Sequence, residues 1–217
     1  MSKHTIIAID GPAASGKGTL AKRLAAHLGY AHLDTGLLYR LTGLRTLNAG
    51  KDPHNVEDAV ATAQSLSKTL KPEDLTDPAL RTDVAGVAAS QVAKFAPVRD
   101  TLLQFQKDFA HNGDVKGVVM DGRDIGTVIC PDADVKFFVT ASVEERANRR
   151  LRELQAKNIA VDFDTVLAEM KARDARDSDR EAAPLKPAPD AHILDTSTRD
   201  ADAAFSAALL IIHKIIK

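Results

Sequence analysis

Short apolar runs alternate along the chain with longer stretches in which apolar residues recur every three or four positions. The short runs are typical of buried strands, and the longer spacing is typical of helices with one buried face. Strands are predicted at 4–10, 30–34, 115–121, 135–139 and 192–194. The main helices between and after them are predicted at 17–28, 36–48, 163–172 and 200–216. This alternation predicts an α/β fold with a five-stranded parallel sheet covered by helices on both faces.

No strand pattern appears between residues 51 and 112. A helix is predicted from Asn55 to about Leu70, and a second from the Asp77-Pro78 start to about Phe95. A third is predicted from Pro97 to about Ala110. Because this helical block delays the return to the sheet, we expect an insertion that hangs over the strand ends.

The first strand runs into a glycine-bounded loop that is followed at once by a helical pattern. Strand, loop and helix in this order are the setting of a phosphate-binding P-loop, in which backbone N–H groups surround a polyphosphate. Lys17 is expected on the β- and γ-phosphates, whereas the hydroxyl that usually follows the lysine is replaced by Gly18. A P-loop NTPase-type three-layer fold is therefore predicted. The loop comprises Gly11, Pro12, Ala13, Ala14, Ser15, Gly16, Lys17, Gly18 and Thr19.

Composition narrows the class of protein. The 217 residues are 44% hydrophobic and 27% charged, with a net charge of −1, which predicts one globular domain and argues against broad nucleic-acid or membrane binding. No apolar run is long enough to cross a bilayer. The single cysteine, Cys130, excludes an intramolecular disulfide and fits a reducing compartment. A cytoplasmic location is expected.

Three polar clusters point to a second anionic substrate. Asp34-Thr35-Gly36 precedes Tyr39 and Arg40, and the segment 121–124 reads Asp-Gly-Arg-Asp. The third cluster contains Arg173, Arg176 and Arg180. Arginine suits phosphate oxygens, and a reaction between two anions needs such groups to offset repulsion. The alternatives are a mixed-charge surface loop at 173–180 and a turn-capping role for Asp121. The arginines at 146–152 equally fit a solvated helix face with i,i+4 ion pairs.

With these segments together, the chain resembles the bacterial cytidylate kinases over nearly its whole length. The resemblance is carried by 11–19, 33–40, Ala-Ser-Gln-Val-Ala at 89–93 with Val98-Arg99, Asp-Gly-Arg-Asp-Ile-Gly-Thr-Val at 121–128, and 173–185. It implies ATP-dependent phosphorylation of CMP and dCMP to CDP and dCDP, in pyrimidine nucleotide metabolism, with ATP and Mg²⁺ as cofactors. It also implies a helical insert that binds the nucleoside monophosphate, and a lid that closes over ATP.

The resemblance assigns roles residue by residue. Residues 11–19 bind the ATP phosphates, and Lys17, Arg123, Arg173 and Arg180 act on the transferring phosphoryl group. Acceptor binding is implied for Thr35, Arg40, Ser90, Arg99, Arg123, Asp124, Arg173, Asp177 and Arg180. Of these, Ser90, Arg99 and Asp124 read the cytosine edge. Asp121 helps order the magnesium shell through water, and Arg149 or Arg150 stacks on the adenine.

The predicted organisation is a core of 1–50, 113–155 and 190–217, an insert of about 51–112 and a lid of about 156–189. Residues 51–88 depart from the family pattern, in which a strand-rich insertion is common. The expected partners are CMP, dCMP and ATP, with neither nucleic acid nor membrane, and the expected state is a monomer. The alternatives are a kinase for UMP or AMP and a non-catalytic nucleotide sensor.

Overall fold

The computed structural model describes residues 4–111 and 114–216. Its five strands form one sheet in the order β2-β3-β1-β4-β5. β1 pairs in parallel with both β3 and β4, and β4 pairs in parallel with β5, which confirms the predicted α/β class. The strands are β1 (Thr5–Asp10), β2 (Ala31–Asp34), β3 (Gly117–Gly122), β4 (Val135–Thr140) and β5 (His192–Asp195).

Eight α-helices are found among the described residues, and several begin where a side chain caps the first turn. The Asn55, Ser142 and Asp200 side chains accept hydrogen bonds from backbone N–H groups at the starts of α3, α6 and α8, respectively. The helices are α1 (Lys17–Leu28), α2 (Gly36–Asn48), α3 (Val56–Thr69), α4 (Asp83–Val92), α5 (Ala96–Ala110), α6 (Val143–Gln155), α7 (Phe163–Asp179) and α8 (Ala201–Ile215).

Two predicted helix boundaries were wrong. The pattern after Asp77-Pro78 is broken into a short 3₁₀ helix, Pro78–Arg81, and the separate helix α4, because the Thr82 hydroxyl accepts from the Ala85 N–H at 3.3 Å and starts a new helix. The helix predicted to end at Ala172 continues through the charged segment to Asp179. The alternative of a mixed-charge surface loop therefore fails for residues 173–179, which are helical.

The described residues form two compact units. The sheet unit comprises the described parts of 1–33, 113–179 and 183–217, and the helical unit those of 34–112 with 180–182. The helical unit thus begins ahead of α2, which the sequence assigned to the core. The predicted boundary between residues 112 and 113 lies outside the described residues. The predicted division into core, insert and lid remains a prediction.

Each unit has its own core. All six residues of β1 and of β3 are buried, so both faces of these central strands are covered. One face of the sheet packs against α1 and α8, through residues such as Leu24 and Ile212. In the helical unit, Leu38, Leu66 and Leu102 form the centre of the core. No helix within the described ranges is long and apolar enough to cross a membrane.

Candidate functional site

The loop between β1 and α1 has the backbone geometry of a phosphate cradle. Gly11 has φ +155°, and a Cβ there would lie 2.0 Å from the Val139 carbonyl oxygen, so only glycine fits. Gly16, with φ +88°, immediately precedes α1, and no side chain caps the helix from that position. The first N–H groups of α1 and the positive end of its dipole therefore face the loop, which suits an anion. The Lys17 ammonium donates to the Pro12 carbonyl at 3.3 Å.

Side chains from distant parts of the sheet unit hold this loop in place. The Thr196 hydroxyl lies 3.0 Å from the Ser15 carbonyl, to which it donates. Arg149 bonds the Thr196 hydroxyl and carbonyl and the Glu145 carboxylate. One Arg149 nitrogen lies 3.8 Å from the point where a Cβ on Gly16 would be. Arg149 therefore stands beside the loop, whereas Arg150 pairs with Glu153.

Arg146 connects the loop to α7. Its guanidinium is buried, donates to the Ala13 and Ala141 carbonyls, and forms a two-pronged ion pair with Asp174 at 2.5 and 3.0 Å. The alternative of a solvated arginine face on α6 therefore fails for Arg146. Arg149 does form the i,i+4 pair with Glu145, but it also bonds Thr196, and Arg150 pairs with Glu153 at i,i+3.

Asp121, at the carboxyl end of β3, lies beside the start of α1. The carboxylate is buried, and its Oδ2 accepts a hydrogen bond from His32 Nε2 at 2.9 Å. Its other oxygen, Oδ1, lies 3.6 Å from the point where a Cβ on Gly18 would be. A carboxylate is thus presented at the loop position where many P-loops carry a hydroxyl.

The carboxylate of Asp10 holds the Asp-Gly-Arg-Asp segment. Its two oxygens accept hydrogen bonds of 2.8 Å from the Ile125 and Gly126 N–H groups, at the start of a single π-helical turn, Ile125–Ile129. Burial raises the pKa of Asp10 from 3.8 to about 6, although the two N–H donors act in the opposite direction. The clamp therefore fixes the backbone that follows the buried side chain of Asp124.

Arg123 brings two predicted motifs together. Its Nε donates to Asp177 Oδ2 at 2.7 Å, so the segment after β3 meets the end of α7, 54 residues further along the chain. Its Nη1 also donates to the Gly122 carbonyl at 3.2 Å. Both side chains of the ion pair are largely buried, at 17% and 11% exposure. Arg173 lies one turn before Asp177 on the same helix.

The helical unit contains the remaining predicted acceptor residues. Arg40 Nη1 donates to the Leu80 and Thr82 carbonyls at 2.8 and 3.1 Å. Arg99 is buried, donates to the Ala93 carbonyl at 3.3 Å and lies over the Tyr39 ring at 5.3 Å.

Three further predicted residues, Thr35, Ser90 and Arg180, also belong to this unit. Ser90 is half-buried on α4. Thr35 precedes α2, and its side chain makes no capping hydrogen bond to that helix. Residue 35 already has a helical backbone, and the Asp34 carboxylate accepts from the Gly36 N–H at 3.0 Å instead.

The described residues offer few side chains that could bind a metal ion. Within 4–111 and 114–216, no group of three or more His, Cys, Asp or Glu side chains could hold a metal ion. Mg²⁺ commonly binds through one or two carboxylates together with substrate phosphates and water. Asp121, next to the P-loop, fits that pattern.

The contacts of Asp10, His32 and Arg146 were not predicted from the sequence. Asp10 was interpreted as the end of a strand and His32 as part of a strand. Arg146 was interpreted as one of several helix arginines. Asp10 and Asp121 do share a signal, since each ends or nearly ends a buried strand at the edge where ligands bind in parallel sheets. The partners of His32 and Arg146 lie 89 and 28 residues away, and no local pattern indicates such contacts.

A family model described as cytidylate kinase matches residues 7–214. The cytidylate kinase of Paramagnetospirillum magneticum is 58% identical, covering 96% of this chain and 97% of its own. That of Rhodospirillum rubrum is 54% identical, covering 96% and 98%.

A solved structure of an uncharacterized protein from Eubacterium ventriosum aligns with a TM-score of 0.58 at 17% identity, covering 97% of this chain and 99% of that one. At that identity, the likeness supports the fold alone. The family model and the relatives cover nearly the full chain, including every motif that carried the resemblance. The chain therefore belongs to the cytidylate kinase family.

Proposed function

We propose that this protein transfers the γ-phosphoryl group of ATP to CMP or dCMP and releases ADP with CDP or dCDP. The observation that carries the proposal is the ion pair between Arg123 and Asp177, at 2.7 Å. It joins the two motifs most specific to the resemblance, within the unit that also holds the P-loop. Membership of the family supports the same activity.

ATP binds to the loop of residues 11–19 in this proposal. The N–H groups at the start of α1 and the Lys17 ammonium contact the phosphates. When bound, Mg²⁺ neutralises charge on the phosphates, and Asp121 is the side chain that would hold it, through water. The side chains of Lys17, Arg123, Arg173 and Arg180 stabilise charge on the transferring group.

No general base is required. The attacking oxygen belongs to a phosphate that is already ionised near neutral pH, so the protein has to align two anions and offset their repulsion. We therefore assign no catalytic proton transfer to any histidine. Arg40 and Arg180 bind the acceptor phosphate, Thr35 lies near the nucleotide, and Arg173 and Asp177 contact its ribose.

Recognition of cytosine is assigned to Ser90, Arg99 and Asp124. A carboxylate accepts from the exocyclic amine, and the other two side chains donate to the ring nitrogen and the carbonyl. Uracil would present a carbonyl to the buried carboxylate, and a buried polar mismatch of this kind can lower kcat/KM for the wrong substrate by about 10⁴-fold. CMP is therefore the proposed acceptor in preference to UMP.

The insert 51–112 and the lid 156–189 are proposed to close on the two nucleotides and exclude water. Mg²⁺ as the metal, a monomeric state, a cytoplasmic location and the lack of nucleic-acid or membrane partners also remain proposals from the sequence.

A coupled assay of ADP release tests the function. MgATP is offered with CMP, dCMP, UMP, AMP or GMP, each over a range of concentrations. Fast turnover with CMP and dCMP and little with AMP or GMP is expected. Turnover with another acceptor alone would keep the kinase but overturn the cytosine readers. Nucleotide binding with no transfer to any acceptor would favour the sensor.

The Asp124→Ala variant tests base recognition separately. We expect the ratio of kcat/KM for CMP over UMP to fall by about 100-fold or more, because the amine loses its acceptor. Asp132→Ala, an exposed aspartate in the following turn, is the control. Unchanged preference in Asp124→Ala would remove this residue from the cytosine site.

A further inference from the structure

The carboxylate of Asp121 has two different neighbours. Oδ2 accepts a hydrogen bond of 2.9 Å from His32 Nε2, and Oδ1 faces the position of Gly18. His32 lies on β2 and Asp121 at the end of β3, which are adjacent strands. An ionised carboxylate can only accept, so this bond from His32 helps to fix the rotation of the Asp121 carboxylate.

Residue 18 is the P-loop position that faces the Asp121 carboxylate. P-loops commonly carry Ser or Thr there, and the hydroxyl contacts the metal. This chain has glycine, and a Cβ on it would be in ordinary contact with Oδ1, at 3.6 Å. A carboxylate oxygen supplied by β3 therefore lies beside this position of the loop.

We propose that His32 is a positioning residue for divalent-metal binding, and that it acts by holding Asp121 with one oxygen turned toward the P-loop. The inference rests on the proposed function, since the metal arrives with the nucleotide phosphates. Partners that orient a metal-binding carboxylate commonly change metal affinity by about 10- to 100-fold when they are removed. His32 is well placed for this because its side chain is only 20% exposed and Asp121 is 3% exposed.

The test compares two substitutions of similar size. His32→Leu removes the donor, whereas His32→Gln keeps an N–H₂ group at about the reach of Nε2. Binding of Mn²⁺ to the enzyme–ADP complex is measured by electron paramagnetic resonance, without any acceptor nucleotide. We expect the Mn²⁺ dissociation constant to rise about tenfold in His32→Leu and to change less than about threefold in His32→Gln. ADP affinity without metal should be unchanged in both variants.

A control variant and a double-mutant cycle test whether the change in Mn²⁺ affinity arises from the contact between His32 and Asp121. His27→Leu removes a histidine from α1 that packs against Phe205, and it should leave Mn²⁺ affinity unchanged. Asp121→Asn should weaken Mn²⁺ binding at least as much as His32→Leu, and the double variant should be no weaker than Asp121→Asn alone.

Several outcomes would overturn the proposal. They are wild-type Mn²⁺ affinity in His32→Leu, full additivity in the double variant, and equal losses in the Leu and Gln variants. A His32→Leu chain that fails to fold would assign the histidine a structural role and overturn it as well. Failure of the kinase proposal is recognised separately, because it would abolish transfer to every acceptor in the unmodified protein.

Discussion

An ion pair between an arginine and an aspartate is found in each unit, and the two pairs differ in burial. In the sheet unit, the side chains of Arg123 and Asp177 are 17% and 11% exposed. In the helical unit, those of Arg45 and Asp74 are 36% and 27% exposed. Removing one member of a buried pair leaves the other charge uncompensated, whereas water screens the charges of a more exposed pair.

The sheet unit also has a buried pair next to the P-loop. Arg146 donates to the Ala13 carbonyl of that loop and pairs with Asp174 of α7, and its side chain is only 6% exposed. In the helical unit, α2 lies so close to α4 that a Cβ on Gly43 would be 2.7 Å from Ala88. We therefore expect stability to depend on charge pairs in the sheet unit, and on close packing in the helical unit.

The largest effect on stability is expected for Arg146→Leu. The substitution leaves Asp174 and the Ala13 and Ala141 carbonyls without their donor, in a site where the arginine is only 6% exposed. Removing one member of a buried ion pair costs about 3 kcal/mol or more. The free energy of unfolding, from urea denaturation, measures the loss.

Arg150→Leu is the matched control for this prediction. It lies on the same helix, and its pair with Glu153 is 23% and 58% exposed on the two sides. An exposed pair of this kind contributes about 0.5 kcal/mol. Equal losses in the two variants would show that burial does not distinguish the pairs, and the comparison between the units would lose its basis.

The buried carboxylate of Asp10 should make stability depend on pH. Its pKa is raised by burial from 3.8 to about 6 in the folded chain, so the folded state holds a proton that the unfolded state has released. The associated stability is complete below pH 3.8 and is lost as pH rises through about 6. Relative to Asp10→Asn, which does not titrate, the wild type should lose about 3 kcal/mol between about pH 3 and pH 7.

Denaturant unfolding of both proteins across this pH range gives the difference directly, since other titrating groups are common to the two. A difference that stays flat would show that the carboxyl titrates normally. A difference that rises with pH would mean that the Ile125 and Gly126 N–H groups outweigh burial.

The parts of the fold that depend on local pattern were predictable from sequence. The five strands and the P-loop follow from apolar runs and glycine positions. The charged end of α7 was missed because alternating arginines and aspartates indicate a solvated loop as readily as a helix. The ion pair between Arg146 and Asp174 holds this part of α7 against α6.

The predicted site divides in the same way. Residues of the P-loop and of the Asp-Gly-Arg-Asp segment were identified from motifs. The residues that hold them, Asp10, His32 and Arg146, act through partners far away in sequence. Such contacts are set by the order of strands in the sheet, which periodicity does not reveal.

In the helical unit, Gly43→Ala should destabilise through packing alone. A Cβ at this position of α2 would lie 2.7 Å from the backbone carbon and the Cβ of Ala88 on α4, so the helices would have to separate. Overpacking costs about 1–3 kcal/mol, and the better helix propensity of alanine returns up to about 1 kcal/mol. A net loss of about 1 kcal/mol is expected in urea unfolding. A gain in stability would show that these helices adapt freely.

Gly86→Ala, on α4, should have the smallest effect and should act on binding. A Cβ there would meet the end of the Arg40 side chain, with Nη2 at 3.2 Å and Nη1 at 3.4 Å, so the guanidinium would have to shift while the backbone stays in place. Stability should be unchanged or slightly raised, because glycine is unfavourable within a helix. The KM for CMP should rise about threefold while the KM for ATP stays constant, since only the acceptor phosphate is assigned to Arg40. An increase confined to the KM for ATP would place Arg40 on the donor side. No change in either KM would mean that the carbonyls of Leu80 and Thr82 do not hold this arginine in a position that binding requires.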